Sequence, residues 1–167
     1  MLFRSQSPTL GPKFFARGKG SHVWDVDGNE FIDWGMGLAS VSLGHAYEPV
    51  LEAVRAELPN GSNFNCPSPL ETELAEHLIT LLPGAEMVKF AKNGSTVTTA
   101  AVKLARAHTG RKLVAFCEDH GFFSYDDWYI GQKPTNAGVP QEISDLTKTF
   151  KYNDLSTVER QIGRAHV

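Results

Sequence analysis

An α/β fold built on a parallel sheet is the architecture this sequence predicts, and three observations predict it. Residues 87–117 read as a short apolar run, an amphipathic helical stretch and a second apolar run. That order makes a βαβ unit, with two parallel strands and a right-handed crossover. Helix-start chemistry appears at Ser68-Pro69-Leu70-Glu71 and again at Asn93-Gly94-Ser95-Thr96. A length of 167 residues, 41% hydrophobic and 21% charged, is one domain's worth of ordinary globular chain.

The elements follow in order. Residues 1–21 are rich in Gly, Pro, Ser and Lys and read as an irregular lead-in. Asp27-Gly28 separates two β-prone runs, so Val23–Val26 and Glu30–Asp33 read as an antiparallel pair joined by a two-residue turn. Glu48-Pro49 opens a helix to Leu58, with Val50, Leu51, Val54 and Leu58 on one stripe. Pro59-Asn60-Gly61 stops it. Ser68 with Glu71 forms a capping box around Pro69, and the helix carries Leu70, Leu74, Leu78 and Leu81 or Leu82 on its inner face. Pro83-Gly84 ends it.

Met87–Ala91 reads as a buried strand. The next helix runs from Thr96 to His108, with Val97, Ala101, Leu104 and Ala105 inward and Gly110 at its left-handed cap. Lys112–Cys117 is a second buried strand, residues 118–145 a long loop, and Thr147–Tyr152 a further strand. Asn153 or Asp154 caps a last helix, which Gly163 interrupts.

Bulk properties exclude several roles. The net charge is −3, so the chain offers no basic field for nucleic acid. No apolar run reaches the roughly 18 residues a membrane span needs, and MLFRSQSPTLGP lacks a signal-peptide core. The reading is a cytoplasmic protein. Cys66 and Cys117 belong to no CxxC pair and read as reduced thiols, and the six His residues lack metal-ligand spacing.

Asn93-Gly94-Ser95-Thr96 carries the chemistry. A helix N-terminus has unpaired N–H groups and about half a positive charge. Gly94 permits close backbone approach, and Ser95 and Thr96 add hydroxyl donors, which fits a phosphate cradle. The plainer alternative is a turn followed by an ordinary N-cap. Gly35-Met36-Gly37-Leu38-Ala39-Ser40 imitates a dinucleotide fingerprint without a βαβ context, so it reads as a backbone turn or substrate-facing loop.

FARGKGSHVWDVDGNEFIDW, LGHAYEPVLEAV and EMVKFAKNGSTVTTAAVKLARAHTGR, in that order, resemble the class III pyridoxal-phosphate aminotransferases, in the glutamate-1-semialdehyde 2,1-aminomutase-like branch. The likeness runs from about residue 5 to 161. It implies a fold type I α/β transferase, here incomplete. Residues 1–65 would be the N-terminal hairpin and helix segment of the small domain, and 66–161 the first βαβ part of the large domain. It also implies pyridoxal 5′-phosphate as cofactor, a small-molecule amino donor and acceptor, and a homodimer at full length.

In the family a Ser-Gly-Thr loop holds the cofactor phosphate; Asn93-Gly94-Ser95 stands in its place here, with Thr96 beside it. The family's Tyr-His-Gly aligns on Asp119-His120-Gly121. Asp119 cannot stack on a pyridine ring, so His120, or Phe122 or Phe123 just beyond, would supply the flat surface. Asp126 and Asp127 look like an acid–base pair but read as solvated or capping. The segment holding Leu38 and Ser40 matches a stretch lining the substrate pocket. Leu38 replaces an aromatic residue of the aminomutase, which points away from glutamate semialdehyde itself.

The resemblance places the Schiff-base Lys and the acid on the pyridinium nitrogen beyond the chain end. The expected catalytic residues in this chain are therefore none, and the chain alone is expected to be inactive and to aggregate or stay partly unfolded. IGRAHV is the translation of a common sequencing-adapter string, so residues 162–167 are expected to be an artefact. The rival reading is a non-catalytic α/β module binding a phosphorylated ligand.

Overall fold

The computed structural model describes residue 12 and residues 14–164. The expected artefact at 162–167 therefore lies partly outside the described residues, as does most of the lead-in. The chain forms two compact units, Met1–Thr72 and Glu73–Val167, each described by itself.

The first unit opens with a three-stranded antiparallel meander, β1 (Phe15–Lys19), β2 (His22–Asp25) and β3 (Glu30–Ile32). The lead-in is thus not irregular where it is described. β1 pairs with β2 in the register Arg17↔Trp24 and Gly18↔Val23. Gly20 makes the reversal possible at φ 57, and the Arg17 guanidinium stacks 3.6 Å from the Trp24 ring centroid. Among the described residues of this unit, Val23, 4% exposed, is the buried apolar one.

The β2–β3 pair confirms the hairpin, with His22 opposite Ile32 and Trp24 opposite Glu30. Its turn is wider than two residues. Asp25 Oδ1 accepts from the N–H groups of Asp27 at 3.0 Å and Asn29 at 2.8 Å, while Gly28 takes φ 86. A carboxylate that captures two backbone donors favours this longer loop over the tight Asp-Gly turn.

Gly18 lies directly under His45. A Cβ there would stand 2.6 Å from His45 Cγ. His45 and Gly20 exchange both backbone hydrogen bonds, each 2.8 Å. Gly18→Ala should therefore push His45 off the meander, at about 1–3 kcal/mol of overpacking. Amide exchange at Gly20 and His45 is expected to speed by about tenfold or more; unchanged exchange would refute the contact.

α2 (Glu48–Glu57) begins at Pro49's first turn and tightens into a 3₁₀ turn, Leu58–Asn60. α3 (Pro69–Leu81) starts where expected, with Ser68 N donating to Glu71 Oε2 at 3.2 Å; Glu71 N donates to the Ser68 carbonyl at 3.1 Å rather than to its hydroxyl, so half of the capping box forms.

In the second unit α4 (Gly94–Thr109) starts two residues earlier than Thr96, because Asn93 is the N-cap and its side chain accepts from Thr96 N. Gly110 closes the helix at φ 68. β4 (Val114–Cys117) and β5 (Thr147–Phe150) pair in parallel, Val114 opposite Thr147.

The parallel sheet is present, but Met87–Ala91 is not one of its strands. It forms no ladder with any described strand. The connection 118–146 is not a bare loop; it holds two single turns, α5 (Asp127–Ile130) and α6 (Gln141–Ser144). α7 (Leu155–Arg164) continues through Gly163, against expectation, since a lone helical glycine costs only about 1 kcal/mol.

The inner faces assigned to α2, α3 and α4 are not covered. None of the three holds a buried residue, and Leu104 is 71% exposed. The amphipathic spacing is real; the layer that would cover it is not among the described residues. No helix described is long and apolar enough to cross a membrane.

Candidate functional site

The start of α4 gathers the cradle residues. Asn93 Oδ1 accepts from Thr96 N at 3.0 Å and from Thr96 Oγ1 at 3.1 Å. The N–H groups of Gly94 and Ser95 have no protein acceptor among the described residues. Those two donors stand at the positive end of a 16-residue helix.

The loop leaving the carboxyl end of β4 reaches this point. A Cβ on Gly94 would meet the Phe122 ring at 3.4 Å. A helix N-terminus beside the carboxyl end of a parallel strand is where open α/β sheets bind ligands. His120 is exposed, and its Nδ1 accepts from Phe122 N at 2.9 Å. Phe122 is half-buried and packs edge-on against Tyr129, with ring centroids 5.4 Å apart. Two free N–H donors with a flat ring alongside fit a phosphate-bearing aromatic ligand.

The hydroxyls behave differently from expectation. Thr96 spends its hydrogen on Asn93. Ser95 Oγ lies 2.5 Å from Ser124 Oγ and 3.0 Å from Asp126 Oδ2. Ser124 Oγ is also 3.0 Å from Asp126 Oδ2, and Asp126 N donates to it at 3.1 Å. Asp126 is half-buried and, though it stands at the N-cap of the next short helix, makes no side-chain cap; its carboxylate ties the 124–126 turn to α4. The Thr99 hydroxyl, and then those of Ser124 and Ser95, hold the Asp126 carboxyl below its ordinary 3.8 against the opposing effect of burial.

Ser124 and Tyr129 were missed in the sequence. An Ser-x-Asp spacing, in which a hydroxyl meets the backbone two residues on, was the available signal for the first. Tyr129 is 2% exposed. Its phenol donates to the Phe122 carbonyl, its ring stacks on Phe116 at 4.6 Å, and Lys133 Nζ sits 5.1 Å from its centroid.

Leu38 and Ser40 belong to the first unit. They lie in a single turn, α1 (Met36–Ala39), that winds left-handed: Met36, Gly37, Leu38 and Ala39 have φ of 44, 57, 59 and 67. Three of the four carry a Cβ, and each costs about 1–2 kcal/mol in that region. Asp33 Oδ1 accepts from Gly35 N and Met36 N, both at 3.0 Å, and Asp33 Oδ2 meets His45 Nε2 at 2.7 Å. Ser40 Oγ donates to Gly37 O at 2.7 Å. An open cleft of about 470 Å³ beside the turn is lined by Arg17, Asp33, Gly37, Leu38 and His45. Leu38 is 91% exposed.

Hydrogen bonding from His45, with help from Met36 and Gly35, holds the Asp33 carboxyl below its ordinary 3.8. A carboxyl more acidic folded than unfolded stabilises fully above that unfolded value and loses its contribution as pH falls through the lower folded one. Protection of the Gly35 and Met36 amides, taken against their intrinsic exchange rates, is expected to hold as pH falls to about 4 and to be lost below it. Loss of protection already above about pH 5 as pH falls would contradict this assignment.

The profile of the class-III aminotransferases matches residues 4–153. The glutamate-1-semialdehyde 2,1-aminomutase of Chloroflexus aurantiacus is 39% identical over 154 residues, covering 86% of this chain and 34% of that protein. The enzyme of the same name from Sulfurihydrogenibium azorense is 36% identical over 163 residues, covering 92% and 38%. Among solved structures, an omega-transaminase from Sphaerobacter thermophilus superposes with a TM-score of 0.81 at 30% identity, covering 95% of this chain and 39% of that one. The PLP-bearing FumI protein of Sphingopyxis sp. MTA144 gives 0.82 at 30%, covering 95% and 37%.

This chain thus spans a little over a third of the length of the proteins it matches, and over that span its fold is part of a fold type I transferase. With the profile covering residues 4–153, the chain belongs to the class-III aminotransferase family.

Proposed function

We propose that this chain is the N-terminal part of a pyridoxal-phosphate-dependent aminotransferase or aminomutase acting on a small amino acid, amino aldehyde or keto sugar. The observation that carries the reading is the pair of unpartnered N–H groups, Gly94 and Ser95, beside the Phe122 ring at the head of α4. These groups and the Asn93 amide hold the phosphate. His120, exposed and fixed through its Nδ1, offers the flat surface for the cofactor ring, and Phe122 backs it. When bound, pyridoxal phosphate supplies the electron-withdrawing ring on which amino groups are exchanged.

The residues of this chain bind and orient; the Lys that would anchor the cofactor is none of those described here. Leu38 and Ser40 face the substrate, a role supported by the strained turn that presents them, since such strain collects at functional sites. The resemblance further implies a homodimer.

Borohydride reduction of the full-length protein, of which this chain is the N-terminal part, with pyridoxal phosphate tests the reading. A stable pyridoxyl-lysine adduct supports the enzyme. Reversible binding of phosphate esters without an adduct would replace it with a non-catalytic phosphate-binding module.

A further inference from the structure

We propose that Asp126 is a positioning residue of the phosphate cradle: it turns the Ser95 hydroxyl inward, so that only backbone N–H groups and the Asn93 amide face the anion. The proposal rests on the phosphate-binding reading above and deepens it.

Three oxygens form a closed triangle, Ser95 Oγ, Ser124 Oγ and Asp126 Oδ2, with sides of 2.5, 3.0 and 3.0 Å. Two hydroxyl hydrogens are available for three contacts. If both pointed at the carboxylate, two lone pairs would face each other across 2.5 Å. One hydroxyl must therefore donate to the other, which in turn donates to Asp126. Either arrangement consumes the Ser95 hydrogen inside the triangle. Ser124 is 1% exposed, so water does not compete for that vertex.

The outward side of Ser95 Oγ is then a lone pair, which an anion avoids. A carboxylate one hydrogen bond behind the cradle adds repulsion toward a phosphate dianion. Asp126 thus weakens the grip of the site while fixing its geometry. Removing its charge lifts the repulsion, and removing the acceptor as well, as in Asp126→Ala, also frees the Ser95 hydroxyl.

The test is pyridoxal 5′-phosphate titration of the full-length protein, of which this chain is the N-terminal part, by absorbance, with inorganic phosphate as competitor. Asp126→Asn and Asp126→Ala are expected to tighten binding by about fivefold or more. Adding Ser95→Ala to Asp126→Ala should reverse most of that gain, while the same change in the parent costs much less. That non-additive pattern is one a purely structural role for Asp126 would not produce.

Weakened or unchanged binding in both Asp126 variants overturns the proposal. So does Ser95→Ala costing about tenfold in the parent, which would show that the hydroxyl already holds the anion. If the parent shows no binding that inorganic phosphate displaces, the phosphate-binding reading itself falls, and this proposal with it.

Discussion

Tyr129→Ala is expected to speed amide exchange at Ile130 and Gly131 by about a hundredfold or more, the equivalent of roughly 3 kcal/mol. Both amides close the α5 turn, donating to Asp126 O at 3.0 Å and Asp127 O at 3.1 Å. Tyr129 is the buried large side chain of the second unit. It stacks on Phe116 with planes 24° apart, meets Trp128 and Phe122 edge-on, and lies under Lys133. Truncation leaves a ring-sized hole at that convergence and an unpaired carbonyl at Phe122.

The same variant should loosen His120 and Phe122, because the phenol is what grips their loop. Tyr129→Phe separates the two effects. It keeps the stacking, loses only the hydrogen bond, and should cost about 1–2 kcal/mol. Burial pushes the phenol above its ordinary 10.0, so it remains a donor at every pH used for these measurements. Equal exchange rates in Tyr129→Ala and the parent would mean that the aromatic cluster does not support the loop.

The second expectation concerns the 167-residue chain expressed by itself. It should show no single cooperative melting transition and should bind the dye ANS strongly. Val23 and Tyr129 are the buried apolar residues described, one in each unit. The stripes of α2, α3 and α4 stay open, with Leu70, Leu74, Val97 and Leu104 all exposed. Isolated helices of 10, 13 and 16 residues are marginal in water without a packed face. An exchange map should therefore show protection at the β1–β3 meander and around Tyr129, and rapid exchange along the three helices. A sharp transition of a soluble monomer, with uniform protection, would refute it.

Local chemistry carried the fold as far as it reached in sequence. The helix start at Ser68, the αL glycine at Gly110 and the apolar run that forms β4 act through neighbours close in the chain or through strong periodicity, whereas the parallel partner of β4 is β5, about 30 residues on, and not the 87–91 run. Met87–Ala91 failed for the opposite reason: a strand exists only where another strand supplies a ladder, and its apolar spelling says nothing of whether one is present. The site divided the same way. Asn93 and Gly94 were legible because a helix start is a local event. The engagement of Ser95 by Ser124 and Asp126, 29 and 31 residues onward, was not, and neither was the clasp of His45 on Asp33.

The left-handed turn at Met36–Ala39 has a stereochemical consequence. Its backbone angles are those that mirror-image amino acids prefer, so handedness at Leu38 becomes a design variable independent of side-chain size. A chemically synthesised chain with the D-enantiomer at position 38 would adopt this geometry without the penalty that L-leucine bears. A β-branched L-residue such as valine or isoleucine there would meet a steeper one. Chirality, more than polarity or volume, is the currency in which substitutions along this loop will be judged.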